Sequence, residues 1–490
     1  MEAAYGLIGW MGFKAAENRG FMTNVVIIGG GPGGYEAALV GRQLGGQVTL
    51  VERRGLGGSA VLTDVVPSKT LSAVAEVMTR LRGAGSLGLR LADGSADLAG
   101  AIRVDMSEVH QRIRELAQAQ SDDIERQLLG EGVRLIQGTA RCATKSLIIA
   151  STDHGDQVLP ADVLLIATGA HPRELAAARP DGERIFTWAQ IYDMDTLPER
   201  LIVVGSGVTG AEFASAYRAL GVDVTLISSR HQVLPSQDDD AARLIQDAFR
   251  ERGIVIHNDA RAVGAERRGD GVVVSLEDGR EVEGSHCLMA VGSIPNTDGI
   301  GLEEMGVAMN ASGHVQVDRV SRTSVRGVYA AGDCTDGFAL ASVAAMQGRI
   351  AMWHSLGDAV APINLREVAS NVFTAPEIAT VGATQKDIDS GALAARSVML
   401  PLRGNARAKM KGLSQGFIKI FCLPTTNIIV GGVVVSRWAS ELIYALSVAV
   451  KNKLTVDQFA ESFTVYPSLT GSLAEAARRL HAGGAEVITY

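Results

Sequence analysis

The stretch Val25-Val26-Ile27-Ile28-Gly29-Gly30-Gly31-Pro32-Gly33-Gly34 decides how the rest of the chain is read. A short β-branched run ends in a glycine-rich turn, Tyr35 to Gln43 has helical composition, and Gln47 to Glu52 is the next strand. That is the strand, helix, strand order that a dinucleotide fold demands. The glycines allow the backbone to come close to a pyrophosphate, which sits at the positive N-terminal end of a helix starting near Pro32. Gly29, Gly31, Pro32, Gly33 and Gly34 are therefore candidate phosphate contacts. Glu52, 18 residues after Gly34, is placed to accept hydrogen bonds from ribose hydroxyls.

The same grammar returns 176 residues on. Leu201 to Val204 reads as a strand, Gly205-Ser206-Gly207-Val208-Thr209-Gly210 as the turn, then come a helix to about Leu220 and a strand over Asp223 to Ile227. One G-x-G-x-x-G is weak evidence, but two, each with its strand before and its helix and strand after, are strong. Here the second strand ends in Ile227-Ser228-Ser229-Arg230-His231, with no carboxylate near Ser228. A carboxylate there would bind the ribose hydroxyls of NAD and repel a 2′-phosphate, so its absence beside Arg230 and His231 favours NADPH, or use of both NADPH and NADH.

The remaining chain sets bounds. At 490 residues it is too long for one hydrophobic core and divides into about three domains. A composition of 47% hydrophobic and 20% charged residues, with 56 glycines, fits a globular protein rich in tight turns. The net charge of −8 lacks the one-sided basic field of a nucleic-acid-binding protein. Apolar runs such as Val163 to Ala167 are far shorter than the roughly 20 residues of a transmembrane segment and read as buried strands. Residues 1–21 begin with Met1-Glu2 rather than a basic stretch and make a poor secretory signal. Cys142, Cys287, Cys334 and Cys422 are scattered without a C-x-x-C pattern, which predicts no metal site and fits a reducing, cytoplasmic setting.

Met106 to Leu129 repeats apolar residues at helical spacing and predicts a long amphipathic helix. Gly271 to Leu276, followed by Glu277-Asp278-Gly279, predicts a β-hairpin. From about Pro362 a mixed α+β region follows, with strands at Phe417 to Cys422 and Ile428 to Val435 and helices at Ala439 to Lys451 and Val456 to Ser462.

After Glu52 comes Gly57-Gly58-Ser59-Ala60-Val61-Leu62-Thr63-Asp64-Val65-Val66-Pro67-Ser68-Lys69. Here the chain resembles the flavoprotein disulfide reductases, the family of dihydrolipoamide dehydrogenase and glutathione reductase, in which this segment reads G-G-T-C-x4-C-x-P-S-K. Ala60 and Val65 stand where the family has its redox-active cysteines. Ala167-Thr168-Gly169 and Val328-Tyr329-Ala330-Ala331-Gly332-Asp333 match further motifs, and Leu340-Ala341-Ser342 starts a helix that in the family points at the flavin. Asn371 to Glu377 and Ala439 to Ile443 resemble the dimerisation domain.

The resemblance implies an α/β fold with two Rossmann-like domains, for FAD and NAD(P), and a C-terminal α+β dimerisation domain in a homodimer. The expected boundaries are a disordered extension over 1–21, an FAD-binding part over 22–160, an NAD(P)-binding domain over 161–285, a return to the FAD-binding and central region over 286–360, and the dimerisation domain over 361–490. By resemblance Asp333 holds the ribityl chain, and Arg53, Gly58, Ser59, Gly138, Ala140, Thr168, Gly169, Gly332, Leu340, Ala341 and Ser342 join the FAD contacts. Gly205, Gly207, Val208, Thr209, Gly210, Ser228, Ser229, Arg230 and Gly292 are assigned to the nicotinamide dinucleotide. Val208 replaces the aromatic gate of many relatives, which implies an open nicotinamide pocket.

Lys69 corresponds to the family lysine beside the flavin, paired with a glutamate of the second unit's helix, here Glu212. The family's catalytic H-P-T-x-S-E segment reads Tyr466-Pro467-Ser468-Leu469-Thr470-Gly471, so the histidine and its glutamate are both gone. Tyr466, with an ordinary pKa of about 10, is a weak acid–base substitute and is expected at most to donate a hydrogen bond to a developing oxyanion. Without a dithiol, disulfide reduction by the family route is excluded, because thiol exchange requires a thiolate. What remains is an FAD-dependent NAD(P)H dehydrogenase that reduces a planar, quinone-like acceptor directly. The alternatives are a soluble pyridine-nucleotide transhydrogenase and a non-catalytic flavoprotein subunit or regulator.

Overall fold

The computed structural model describes residues 22–481. The expected extension at 1–21 lies outside them. Strand β1 (Asn24–Ile28) and helix α1 (Pro32–Gln43) follow the predicted order, and β2 (Gln47–Glu52) returns parallel to β1, pairing Val26 with Thr49 and Ile28 with Val51. Pro32 occupies the first turn of α1, where its missing N–H costs nothing. Then come α2 (Gly58–Leu62), α3 (Val65–Ala84) and the amphipathic α4 (Met106–Gly130), whose Ile113, Ala117, Ile124 and Leu128 are buried at helical spacing. Asp105 caps α4 by accepting hydrogen bonds from the Ser107 and Glu108 amides.

Strand β3 (Arg134–Gln137) completes one edge of a parallel five-stranded sheet, ordered Val328–Ala330, Val163–Ile166, β1, β2, β3. A second parallel sheet runs Val255–His257, Asp223–Ile227, Arg200–Val204, His286–Met289, Ile185–Thr187. Its helices are α5 (Val208–Leu220) and α6 (Asp239–Glu251). Strands covered on both faces are apolar throughout, as Val163–Ile166 and Leu201 to Val204 are.

Two strands cross the boundaries read from sequence. Val163–Ile166 pairs with β1 in the first sheet, and His286–Met289 pairs with Arg200–Val204 in the second. Cuts at 160/161 and 285/286 would therefore remove a central strand from each sheet. Strand partners are set by long-range ladders, which a local pattern does not carry.

Helix α7 (Ala341–Ser355) packs directly on α1. The contact needs glycine: a Cβ on Gly348 would stand 2.0 Å from the Gly33 carbonyl oxygen. The last region is an antiparallel five-stranded sheet, ordered Ala369–Val372, Glu377–Gly382, Ile429–Ser436, Phe417–Cys422, Arg396–Pro401. Helix Ala439–Lys451 lies on it with Leu446 seated over Gly432, where a Cβ would come within 2.8 Å of the leucine. Lys419 of this sheet, itself buried, reaches Asp238 at 2.8 Å and Asp240 at 2.7 Å, tying the region to the start of α6. No helix among the described residues is long and apolar enough to cross a membrane.

Candidate active site

A cavity of about 540 Å³ opens beyond the C-terminal ends of β1, β2 and Val163–Ile166. Crevices at this end of a parallel sheet are where α/β folds bind ligands. Its wall contains Gly29, Gly31, Pro32, Gly33, Glu52, Arg53, Gly58 and Ser59, and also Gly138, Ala140, Thr168, Gly169, Gly332, Asp333 and Ala341. Of the residues assigned to this site, Gly34, Lys69, Leu340 and Ser342 do not line it. Gly34 acts from behind: a Cβ there would stand 1.9 Å from the Gly29 carbonyl oxygen. Leu340 is the extended residue ahead of α7, and Ser342 is exposed.

The cradle is made of backbone. A Cβ on Gly29 would lie 2.2 Å from the Ala167 carbonyl oxygen, and one on Gly58 would lie 2.9 Å from Gly31 Cα. No side chain caps α1, and nothing stands within 4 Å of a Cβ built on Gly31. A bare helix N-terminus walled by glycine fits a pyrophosphate. Glu52 braces the loop, its Oε2 accepting from the Gly30 amide at 2.6 Å and its Oε1 from the Arg53 and Arg54 amides at 2.7 Å. On the far wall the Gly332 amide donates to Oε1 of the buried Gln347 at 2.8 Å, which fixes the turn carrying Asp333. Burial pushes the Asp333 carboxyl above its ordinary pKa.

Lys69 lies one turn into α3, and its Nζ donates to Glu212 Oε2 of α5 at 2.7 Å. Glu212 is 4% exposed, and its other oxygen accepts from the Phe373 amide at 2.9 Å. The Lys69 ammonium also sits 5.0 Å from the centre of the Phe373 ring. Three regions thus meet at one ion pair, which satisfies a carboxylate that would be costly to bury alone.

The second unit repeats the first in detail. A Cβ on Gly205 would stand 2.2 Å from the Ala290 carbonyl oxygen, and one on Gly210 would stand 1.8 Å from that of Gly205. Gly207 and Val208 open α5 without a side-chain cap, Thr209 follows in its first turn, and Val208 is 38% exposed. Gly292 has a φ of +98° in the loop after His286–Met289. Ser228 is fully buried, its hydroxyl 2.7 Å from that of Ser206 and donating to the Arg230 carbonyl at 3.0 Å. The residue shapes the turn from beneath, and Ser229 and Arg230 stand exposed above it.

Ala60 and Val65 both face the cavity, on α2 and at the start of α3. All four cysteines are buried and free, none lines the cavity, and burial pushes the Cys142 and Cys287 thiols up to about 12. Such thiols are inert at neutral pH. Tyr466 is 87% exposed in the C-terminal region, and its hydroxyl has no partner among the described residues. Within one chain it does not meet Lys69 or Glu212.

Two wall residues carried no weight in the sequence. Thr63 Oγ1 lies 3.0 Å from Ser59 Oγ, and Asp64 stands between Ala60 and Val65. Asp64 holds the N-cap position of α3 but gives the helix no side-chain cap. Burial, then the charges of Glu212 and Asp333, push its carboxyl up to about 6, against the opposing pull of Lys69. The signal available in sequence was a carboxylate directly before Val65, between two positions where apolar residues replace thiols.

Comparison with known proteins agrees with this geometry. The profile for pyridine nucleotide-disulphide oxidoreductases matches residues 23–348, and the profile for their dimerisation domain matches residues 368–477. An NAD(P)H dehydrogenase (quinone) of Mycobacterium tuberculosis is 52% identical over 471 residues, 94% of each chain. A dihydrolipoyl dehydrogenase of Bacillus subtilis is 30% identical, covering 92% of this chain and 97% of its own. The crystal structure of LpdA from Mycobacterium tuberculosis superposes with a TM-score of 0.88 at 52% identity, over 94% of this chain and 100% of that one. The family is FAD-dependent and takes NAD(P)H as substrate. With matches that span nearly all of the described residues, the chain belongs to the pyridine nucleotide-disulphide oxidoreductase family.

Proposed function

We propose that the protein is a homodimeric, FAD-dependent NAD(P)H dehydrogenase that passes electrons to a quinone-class acceptor directly, with no disulfide in the relay. The observation that carries this reading is the Lys69–Glu212 ion pair, intact at 2.7 Å beside a cavity wall where Ala60 and Val65 replace thiols. FAD, when bound, supplies the capacity to accept a hydride and hand on its electrons. The glycine loop Gly29 to Gly34, Gly58 and the N-terminal end of α1 would hold its pyrophosphate, Glu52, which braces that loop, would take the ribose hydroxyls, and Asp333 would hold the ribityl chain. Gly205, Gly207 and Gly210 do the same for the nicotinamide dinucleotide, with Ser229 and Arg230 open to a 2′-phosphate. Lys69 holds a positive charge at the junction of the two units, and Glu212 keeps it in place.

The apolar faces of Ala60 and Val65 suit a flat acceptor. The quinone class is supported by the relative from Mycobacterium tuberculosis, an NAD(P)H dehydrogenase (quinone). The dimerisation region supports a second copy, to which Tyr466 and its exposed neighbours Phe463 and Val465 are free to contribute. Four buried free thiols support a reducing compartment. The test is steady-state oxidation of NADPH and NADH with benzoquinones, naphthoquinones, lipoamide, glutathione disulfide and a nicotinamide analogue. Preferential quinone turnover is expected. Robust lipoamide turnover contradicts the reading, and preference for the nicotinamide analogue replaces it with a transhydrogenase.

A further inference from the structure

Four carboxylates face the main cavity, and they are not alike. Glu52 is saturated by backbone amides, Asp298 is exposed at the rim, and Asp333 is fixed in a turn held by Gln347. Asp64 is half-buried between the two wall positions where thiols are missing, and its carboxyl makes no hydrogen bond to the described residues. It does not cap α3, although it sits where a capping aspartate would. A carboxyl that forgoes both structural roles open to it, on the wall between Ala60 and Val65, needs another reason to be there.

Quinone reduction has an unfilled role. NADPH gives up a hydride, which is two electrons and one proton. A benzoquinone takes two electrons and two protons as its two carbonyls become hydroxyls. One further proton must reach an acceptor oxygen at the wall formed around Ala60 and Val65, where Asp64 stands. Tyr466 stands away from the cavity in this chain, and the histidine of the H-P-T segment is replaced.

We propose that Asp64 is the proton donor to the acceptor: its O–H bond breaks as the acceptor's second O–H forms, and the carboxylate then takes a proton back from water. This rests on the quinone reading given above. The groups that face Asp64 set its readiness. Lys69 on α3 favours the carboxylate; burial, Glu212 on α5 and Asp333 beyond Val328–Ala330 favour the acid. Tyr192, in the turn Ile191–Asp193, is held neutral by burial and by the charges of Asp64, Tyr217 and Glu212. With its pKa pushed up to about 6, the carboxyl still holds a fraction of its protons near neutrality, where an ordinary aspartate has none left to donate.

The test compares FAD-loaded wild type with D64N and D64E. Without turnover, the infrared difference spectrum between about pH 5 and about pH 8 should show a protonated-carboxyl band that D64N lacks. In turnover, the ratio of benzoquinone reduction to ferricyanide reduction, whose electron uptake needs no proton, should fall on the order of a hundredfold in D64N and recover partly in D64E. In wild type that ratio should decline as pH rises through about 6. Equal loss with both acceptors, or an unchanged ratio with wild-type quinone turnover intact, overturns the donor role and leaves the quinone reading standing. Failure of wild type to reduce any quinone overturns both.

Discussion

The two dinucleotide units superpose residue for residue along the sequence, yet they diverge where side chains do chemistry. A Cβ on Gly29 or Gly205 would stand the same 2.2 Å from the carbonyl oxygen of Ala167 or Ala290, and one on Gly34 or Gly210 would stand 1.9 or 1.8 Å from that of Gly29 or Gly205. Against this shared backbone, Glu52 of the first unit is replaced by Ser228 of the second, and the amide clamp on Gly30 by a hydroxyl pair between Ser206 and Ser228. Glu36 and Glu212 also correspond. Glu36 reaches only Arg349 at 3.7 Å, whereas Glu212 is buried against Lys69 at 2.7 Å. Pyrophosphate demands the backbone twice; the ribose and the redox centre make each unit different.

Breaking the shared backbone should have the largest effect. Gly34→Ala or Gly210→Ala forces a Cβ onto a carbonyl oxygen, an overpacking of about 1–3 kcal/mol that should weaken the corresponding dinucleotide about tenfold to a hundredfold. Flavin absorbance of the purified protein should fall for Gly34→Ala. NADPH binding, read by quenching of the bound flavin, should fall for Gly210→Ala with flavin retained. Loss of flavin from both would mean the units are not separable.

Breaking the distinctive ion pair comes next. Lys69→Met leaves Glu212 buried with only the Phe373 amide, at a cost of about 1–3 kcal/mol in thermal unfolding. Hydride transfer from NADPH, read as flavin bleaching in stopped flow, should slow with it. Glu36→Gln, at the matching place in the first unit, should leave that rate alone; equal slowing by the two variants would contradict the assignment of Lys69 and Glu212 to the redox centre.

Making the second unit more like the first should have a smaller effect. Ser228→Glu restores the carboxylate that Glu52 supplies, and should shift the NADPH to NADH ratio of kcat/KM toward NADH by about tenfold, or about 1.4 kcal/mol. An unchanged ratio would remove Arg230 from nicotinamide selection.

Asp64 should leave activity and stability with different pH dependences. The raised Asp64 pKa means the folded state binds its proton more tightly than the unfolded chain, so wild type loses stability between the ordinary value of 3.8 and about 6 as pH rises. Asp64→Asn removes that loss. Its thermal midpoint should exceed that of wild type above about pH 6 and match it below about pH 4, and identical midpoints across that range would show the carboxyl is not strained by its neighbours.

The two units were legible in sequence because their glycine spacing is a local consequence of backbone contact, and so was the loss of thiols at Ala60 and Val65. Sheet membership was not. Val163–Ile166 and His286–Met289 carry no mark of which ladder they join, since both are simply apolar and buried. Ser228 was readable as the absence of a carboxylate but not as a buried brace for the turn. Asp64 stands plainly inside the motif, yet what sets it apart comes from burial and from Glu212 and Asp333, which reach it only in the folded chain.

Electron counting tests the central claim most directly. Anaerobic titration of the FAD-loaded protein with NADPH, followed by mixing with benzoquinone, should consume one equivalent per subunit, bleach the flavin fully and restore it on mixing. Uptake of a second equivalent per subunit, or a bleached flavin that benzoquinone fails to reoxidise, would contradict direct reduction without a second redox centre.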